Sequence, residues 1–250
     1  MLHLRTRGAL AATLVLLLAA PALATEAVVA TVPVGANPAA VATDTLSGRA
    51  FVANTGGASV AVLDTATGTA TSVATGNAPV AIALDTARRR AWVANRLDGT
   101  VTVVNVDSLA TTTVAVGLQP LAIALDEAGN RAFVANSGSG TVTVIDGATL
   151  GTTTVTVGAD PVAIALNPAT GRVYVARENG NAVAVIDGGA TRQVTVGNAP
   201  VALAVDRVGN RVFVANRIGD SVSVIDGATE ATTTVAVGNG PVAIAFDASA

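Results

Sequence analysis

The chain has 250 residues, of which 51% are hydrophobic, only 2% aromatic and 12% charged, with a formal net charge of −3. This weakly acidic balance excludes a nucleic-acid surface, which needs a basic stripe, and the absence of cysteine excludes a disulfide framework. His3 is the only histidine and there is no lysine, so past residue 24 neither a nucleophile–histidine pair nor paired metal histidines can form.

Residues 1–24 predict a signal peptide. Arg5 and Arg7 give a positive start, Ala9 to Ala20 is an uncharged apolar core, and Ala22-Leu23-Ala24 is a small-residue cleavage site. The apolar run is shorter than the ~20 residues that cross a bilayer. The expected mature chain starts near Thr25 and carries 12 arginines against 17 acidic residues, a net charge of about −5. It is expected in the periplasm or the medium, with no membrane span.

Residues 26–37 are expected to hold a lone strand, Glu26 to Val34. From there the chain repeats. A proline opens an apolar run at Pro38, Pro79, Pro120, Pro161, Pro200 and Pro241, at intervals of 41, 41, 41, 39 and 41 residues. A fixed period in this range signals a stacked array of supersecondary units. The complete units are 38–78, 79–119, 120–160, 161–199 and 200–240, and 241–250 begins another.

Counting from each proline, offset 6 is Asp44, Asp85, Asp126, Asn167, Asp206 and Asp247. Offset 11 is Arg49, Arg90, Arg131, Arg172 and Arg211. Offset 13 is Phe51, Trp92, Phe133, Tyr174 and Phe213, and offset 16 is Asn54, Asn95, Asn136, Arg177 and Asn216. Between these markers lie four β-branched runs bounded by Gly, Asn, Asp and Pro, as in Pro161–Leu166, Arg211–Asn216, Ser221–Asp226 and Thr232–Val237. Four short strands per unit predict one blade of a β-propeller. The expected fold is therefore all-β: five complete four-stranded blades and an incomplete sixth that holds only a fourth strand before Pro38 and a first strand at Pro241 to Asp247.

The aromatic residues recur at one position, so they read as blade core, and Phe246, in the slot of Leu84, Leu125 and Leu166, reads likewise. The offset-6 aspartates read as turn formers paired with the offset-11 arginines across the loop; a ring of carboxylates around a cation is the alternative. Arg88-Arg89-Arg90 reads as a solvated loop, with a polyanion contact as the alternative. The loops at offsets 16–20 differ among repeats, which ordinary loop drift explains most simply; with the Gly-x-x-Pro loops they form the end where loops usually carry function. Arg96, Arg177, Glu178 and Arg217 are the ligand-binding candidates there; no catalytic residue, metal ligand or cofactor is predicted.

The units resemble the bacterial YVTN-repeat β-propeller proteins. The resemblance rests on Phe51-Val-Ala-Asn54, Trp92-Val-Ala-Asn95, Phe133-Val-Ala-Asn136, Tyr174-Val-Ala-Arg177 and Phe213-Val-Ala-Asn216, with Val-Ile-Asp-Gly and Val-Gly-Asn-x-Pro elements, and covers residues 26–250. It implies a propeller and leaves function open, because such propellers host unrelated activities. The favoured expectation is an exported, non-catalytic binding scaffold for a protein, glycan or small ligand. The alternative is an extracytoplasmic enzyme, a lactone hydrolase, lyase or redox-cofactor-associated protein. Open blade edges are also expected to invite self-association.

Overall fold

The computed structural model describes residue 28 and residues 30–247, together with the backbone of Ala12–Val15. It contains the five predicted four-stranded antiparallel blades. After β1 (Ala12–Val15) and β2 (Thr31–Gly35), blade one is β3 (Pro38–Asp44), β4 (Arg49–Asn54), β5 (Ser59–Asp64) and β6 (Ala70–Ala74). Blade two is β7 (Pro79–Asp85), β8 (Arg90–Asn95), β9 (Thr100–Asn105) and β10 (Thr111–Ala115). Blade three is β11 (Pro120–Asp126), β12 (Arg131–Asn136), β13 (Thr141–Asp146) and β14 (Thr152–Thr156). Blade four is β15 (Pro161–Asn167), β16 (Arg172–Arg177), β17 (Ala182–Asp187) and β18 (Ala190–Thr195), and blade five is β19 (Pro200–Asp206), β20 (Arg211–Asn216), β21 (Ser221–Asp226) and β22 (Thr232–Ala236). The only helical pieces among the described residues are the 3-10 turns Ser137–Ser139 and Glu178–Gly180.

The middle strands of blades one to four are buried on both faces, which explains their near-continuous apolar runs. A cluster at each seam joins consecutive blades. Phe51, Val60, Val62 and Val73 of blade one meet Ala91, Val93, Val104 and Val106 of blade two. Trp92 fills the next seam, Phe133 the third and Tyr174 the fourth. Truncating a side chain of this size in a closed core costs about 3–5 kcal/mol. The threonine-rich fourth strands form the wet outer edge: in β10 and β14 every residue is exposed except Val114, which is buried, and Val155, which is half-buried.

The first strands of consecutive blades lie side by side from blade one to blade five, whereas β19 and β3 make no comparable contact among the described residues. Both incomplete ends differ from the sequence reading. β2 is not lone: it pairs antiparallel with β1, with Leu14 opposite Val32 and Val15 opposite Thr31. Val32 and Val34 pack on Ala50, Val52, Ala61 and Leu63 of blade one, as a preceding blade would. β1 falls inside the expected signal segment, and the rest of residues 1–24 lies outside the described residues.

At the other end, Pro241–Asp247 forms no strand. Phe246 stacks on Phe213 with centroids 5.8 Å apart, so the segment follows the course of a first strand without a ladder partner. Phe246 is not core, being 38% exposed; nothing described covers its outer side, and Val235 and Val242 on this face are 55% and 67% exposed.

Candidate functional site

Antiparallel pairing puts offsets 0 and 16 at one end of each blade, as Pro120 opposite Asn136 shows. That end gathers the loops leaving the second strands and the loops entering the first. They are tied together in every blade. The amides of Thr55, Arg96, Ser137, Glu178 and Arg217 donate to the carbonyls of Asn37, Ala78, Gln119, Asp160 and Ala199, all at 2.9–3.0 Å. Each acceptor residue holds a left-handed φ of 50–53° just before its proline. The rim is therefore a fixed backbone frame that presents one variable side chain per blade.

Beneath the rim, the offset-16 asparagines are fully buried. Asn136 Nδ2 donates to Thr141 Oγ1 at 3.2 Å and Thr143 Oγ1 at 2.9 Å, and Asn95 and Asn216 do the same to hydroxyls of their own third strands. Each asparagine lies flush on the glycine of the loop entering its blade. A Cβ on Gly76, Gly117 or Gly197 would come within 2.6–2.8 Å of Asn95, Asn136 or Asn216.

Arg177 occupies this slot in blade four. It packs against Gly158, whose φ of 97° suits only glycine, and against Gly180. Its Nη1 donates to Gln193 Oε1 at 2.9 Å, and Gln193 Nε2 donates to the Val157 carbonyl at 3.0 Å. Sequence reasoning placed Arg177 among ligand-facing loop residues; the structure puts it in the architectural slot, where it is half-buried. Glu178 and Arg217 meet as an ion pair joining blades four and five. Arg96 stands apart on blade two, exposed. Beside Arg96 and Arg217 the structure exposes Leu97 (73%) and Ile218 (68%), with Leu118 (66%) on the loop entering blade three. Sequence reading missed these; their signal was an aliphatic residue in a glycine-rich polar loop. A shallow groove of about 420 Å³, bordered by Ser137, Ser139, Thr156 and Asp160, completes this end.

At the opposite end the aspartates act as turn formers. Asp126 Oδ1 accepts from the Gly129 amide at 2.8 Å, and Asp206 Oδ1 from the Gly209 amide at 2.8 Å. Pairing within the repeat holds for Asp85–Arg90, Asp126–Arg131 and Asp206–Arg211, at 2.9, 2.6 and 2.8 Å. It fails in blade one, where Asp44 binds Arg89 of blade two at 2.5 Å, and in blade four, where Asn167 leaves Arg172 to pair with Asp187 at 2.9 Å. Asp44, Asp85, Asp126 and Asp206 are thus each engaged by their own turn and an arginine. Burial pushes the Asp44 carboxyl up, but hydrogen bonds from Ser47, Arg89 and the Leu46 amide outweigh it and hold it below 3.8. Of the Arg88–Arg90 run, only Arg88 is chiefly a surface residue: Arg89 bridges Asp44 and Asp107, and Arg90 crosses to blade three.

That crossing recurs. Nη1 of Arg49, Arg90 and Arg172 donates to the carbonyls of Val106, Gly147 and Gly227, in the turn after the third strand of the next blade. Sequence separation is 57, 57 and 55 residues, the last shortened by the two residues that the fourth repeat lacks. The turn that should receive Arg131 is that shortened one, where Asp187 pairs with Ala190 across Gly188-Gly189, both at positive φ. Arg131 turns back to Asp126 and stays 46% exposed, against 17% for Arg90.

No family model matches the chain, and no curated protein matches it in sequence. Solved structures share its fold. One is a dihydro-heme d1 dehydrogenase, NirN, in complex with DHE, with a TM-score of 0.65 and 16% identity over 78% of this chain. The chain spans 45% of that protein's length. Another comes from a nidogen/laminin complex, with a TM-score of 0.61 and 15% identity over 80% of this chain and 82% of that one. At such identities the likeness establishes a β-propeller fold alone.

Proposed function

We infer that the protein is an exported propeller of the YVTN-repeat type that serves as a non-catalytic binding scaffold, using its loop-rich end. One observation carries this reading: Leu97, Leu118 and Ile218 stand exposed at that end among Arg96, Arg217 and Glu178, on backbone fixed by the rim hydrogen bonds. Aliphatic anchors beside arginine on a preorganised frame suit a protein partner with apolar and acidic groups. The repeated Phe/Trp/Tyr-Val-Ala-Asn strands support the YVTN assignment, and the charged start, short apolar core and Ala22-Leu23-Ala24 support export. Beyond residue 24 the sequence has no histidine, cysteine or lysine, so an enzyme would have to work with carboxylates, arginine, hydroxyls and one tyrosine.

The test uses three purified baits: the wild type, Leu97→Ser with Ile218→Ser, and Leu46→Ser with Val208→Ser from the opposite end. Each is cross-linked in envelope extract and analysed by mass spectrometry. A partner retained by the wild type and the third bait but lost by the second is the expected result. Identical retention by all three would reject the loop-end assignment. N-terminal sequencing of the exported protein should begin at or near Thr25.

A further inference from the structure

The end opposite the loop-rich rim holds a cavity of about 490 Å³ where the first strands of blades three, four and five finish. This lies within the roughly 300–1,000 Å³ range of small-molecule pockets. Its floor is apolar: Leu125, Leu166 and Val205, one from each blade and each half-buried, with Pro168 between the flanking turns. Its walls carry opposite charges. The residue just past the offset-6 turn former is Thr45 and Thr86 in blades one and two, then Glu127, Pro168 and Arg207.

Glu127 and Arg207 both line the cavity, on blades three and five, and both are exposed. Neither charged head has a hydrogen-bond or ion-pair partner among the described residues. The other charges nearby are occupied. Asp126 is held by Arg131 and the Gly129 amide, while Arg88 donates to the Glu127 carbonyl and lies 3.6 Å from Asp85. Two unpaired opposite charges on alternate blades, with an apolar strip between them, form a matched set of groups.

We propose that this cavity binds a small zwitterion with an apolar body: the cationic end at Glu127, the anionic end at Arg207 and the body on Leu125, Leu166 and Val205. The charges fix orientation, and the apolar floor supplies contact area. Blade four contributes only Pro168 and Leu166, so the middle of the ligand meets no charged group there. The site is separate from the loop-rich end and rests on none of its residues.

Calorimetric titration with three peptides tests this: Leu-Leu with free termini, its N-acetyl form and its C-terminal amide. The wild type is expected to bind the free dipeptide about tenfold more tightly than either blocked form, each block removing one charge-assisted contact. In Arg207→Gln the free and amidated peptides should bind alike, and in Glu127→Gln the free and acetylated ones. Both side chains are exposed, and unchanged thermal midpoints would show that the variants fold. Failure of Leu-Leu to saturate the wild type at millimolar concentration would overturn the proposal. So would equal binding of all three peptides, or discrimination that survives in both variants.

Discussion

Asn136 lies flat on Gly117, so close that a Cβ on the glycine would stand 2.8 Å from the amide group. Gly117 ends one blade and Asn136 belongs to the next, so the pair sets how the chain enters each blade. Gly117→Ala should destabilise the protein by about 1–3 kcal/mol through overpacking. Asn136→Ala leaves Thr141 and Thr143 without their shared donor and should cost about 1–2 kcal/mol. The double variant should cost less than the sum, because removing the amide makes room for the methyl. Urea unfolding of the four proteins checks this; strict additivity would separate the two residues.

Arg90 and Arg131 occupy the same position in consecutive repeats but have different partners. Arg90→Ala should cost about 1–3 kcal/mol, since it strips a charged donor from the Gly147 carbonyl and from Asp85. Arg131→Ala should cost only about 0–1 kcal/mol, as expected for an exposed ion pair. Denaturation midpoints decide the order, and a larger loss at Arg131 would refute the inter-blade role of Arg90.

Acid should unfold the protein in one direction only. Burial raises the Asp126 carboxyl, but the Gly129 amide and Arg131 hold it below 3.8; the Gly209 amide and Arg211 do this for Asp206, and the Thr229 amide and hydroxyl for Asp226. A folded pKa below the unfolded value gives stability that is present above about 4 and lost as pH falls through the folded value. With His3 the only histidine, no side-chain titration of this kind is expected between pH 5 and 8. Thermal melts should be level across pH 5–8 and fall steeply below pH 4. A step near pH 6.5 would contradict this.

The outer face of blade five shows Val235, Val242 and Phe246 where blades one to four meet a neighbour. For a chain ending at Ala250, light scattering is expected to show association rising with concentration. Val235→Thr with Val242→Thr should reduce it. A monomer at all concentrations would exclude pairing through this face.

The repeat made the blades legible because each local preference agrees with the fold: β-branched runs, Asp-Gly turns and prolines mark the same boundaries in every unit. Phe51, Trp92, Phe133 and Tyr174 were recognisable as core for that reason. Phe213 and Phe246 were not separable from them, since their exposure depends on what lies beyond the fifth blade. The destination of Arg90 was hidden too. Within its repeat Arg90 lies opposite Asp85, and nothing local shows that a carbonyl 57 residues onward comes within reach. The site was legible only as an end of the molecule. Arg177 looked like a variable loop cation because its slot is asparagine elsewhere, and its packing on Gly158 could not be read from the sequence.

The missing reach of Arg131 makes the molecule uneven along its length. In a linear array, stability is set by each unit and by its seams with adjacent units. Seams one–two, two–three and four–five each have an arginine strut; seam three–four lacks one and relies on its apolar filling around Phe133 and on the Gln193–Val157 hydrogen bond. Seam three–four is therefore expected to be the first to part under heat or mechanical pull, between residues 160 and 161. Two missing residues in one turn thus remove one strut from an otherwise uniform series.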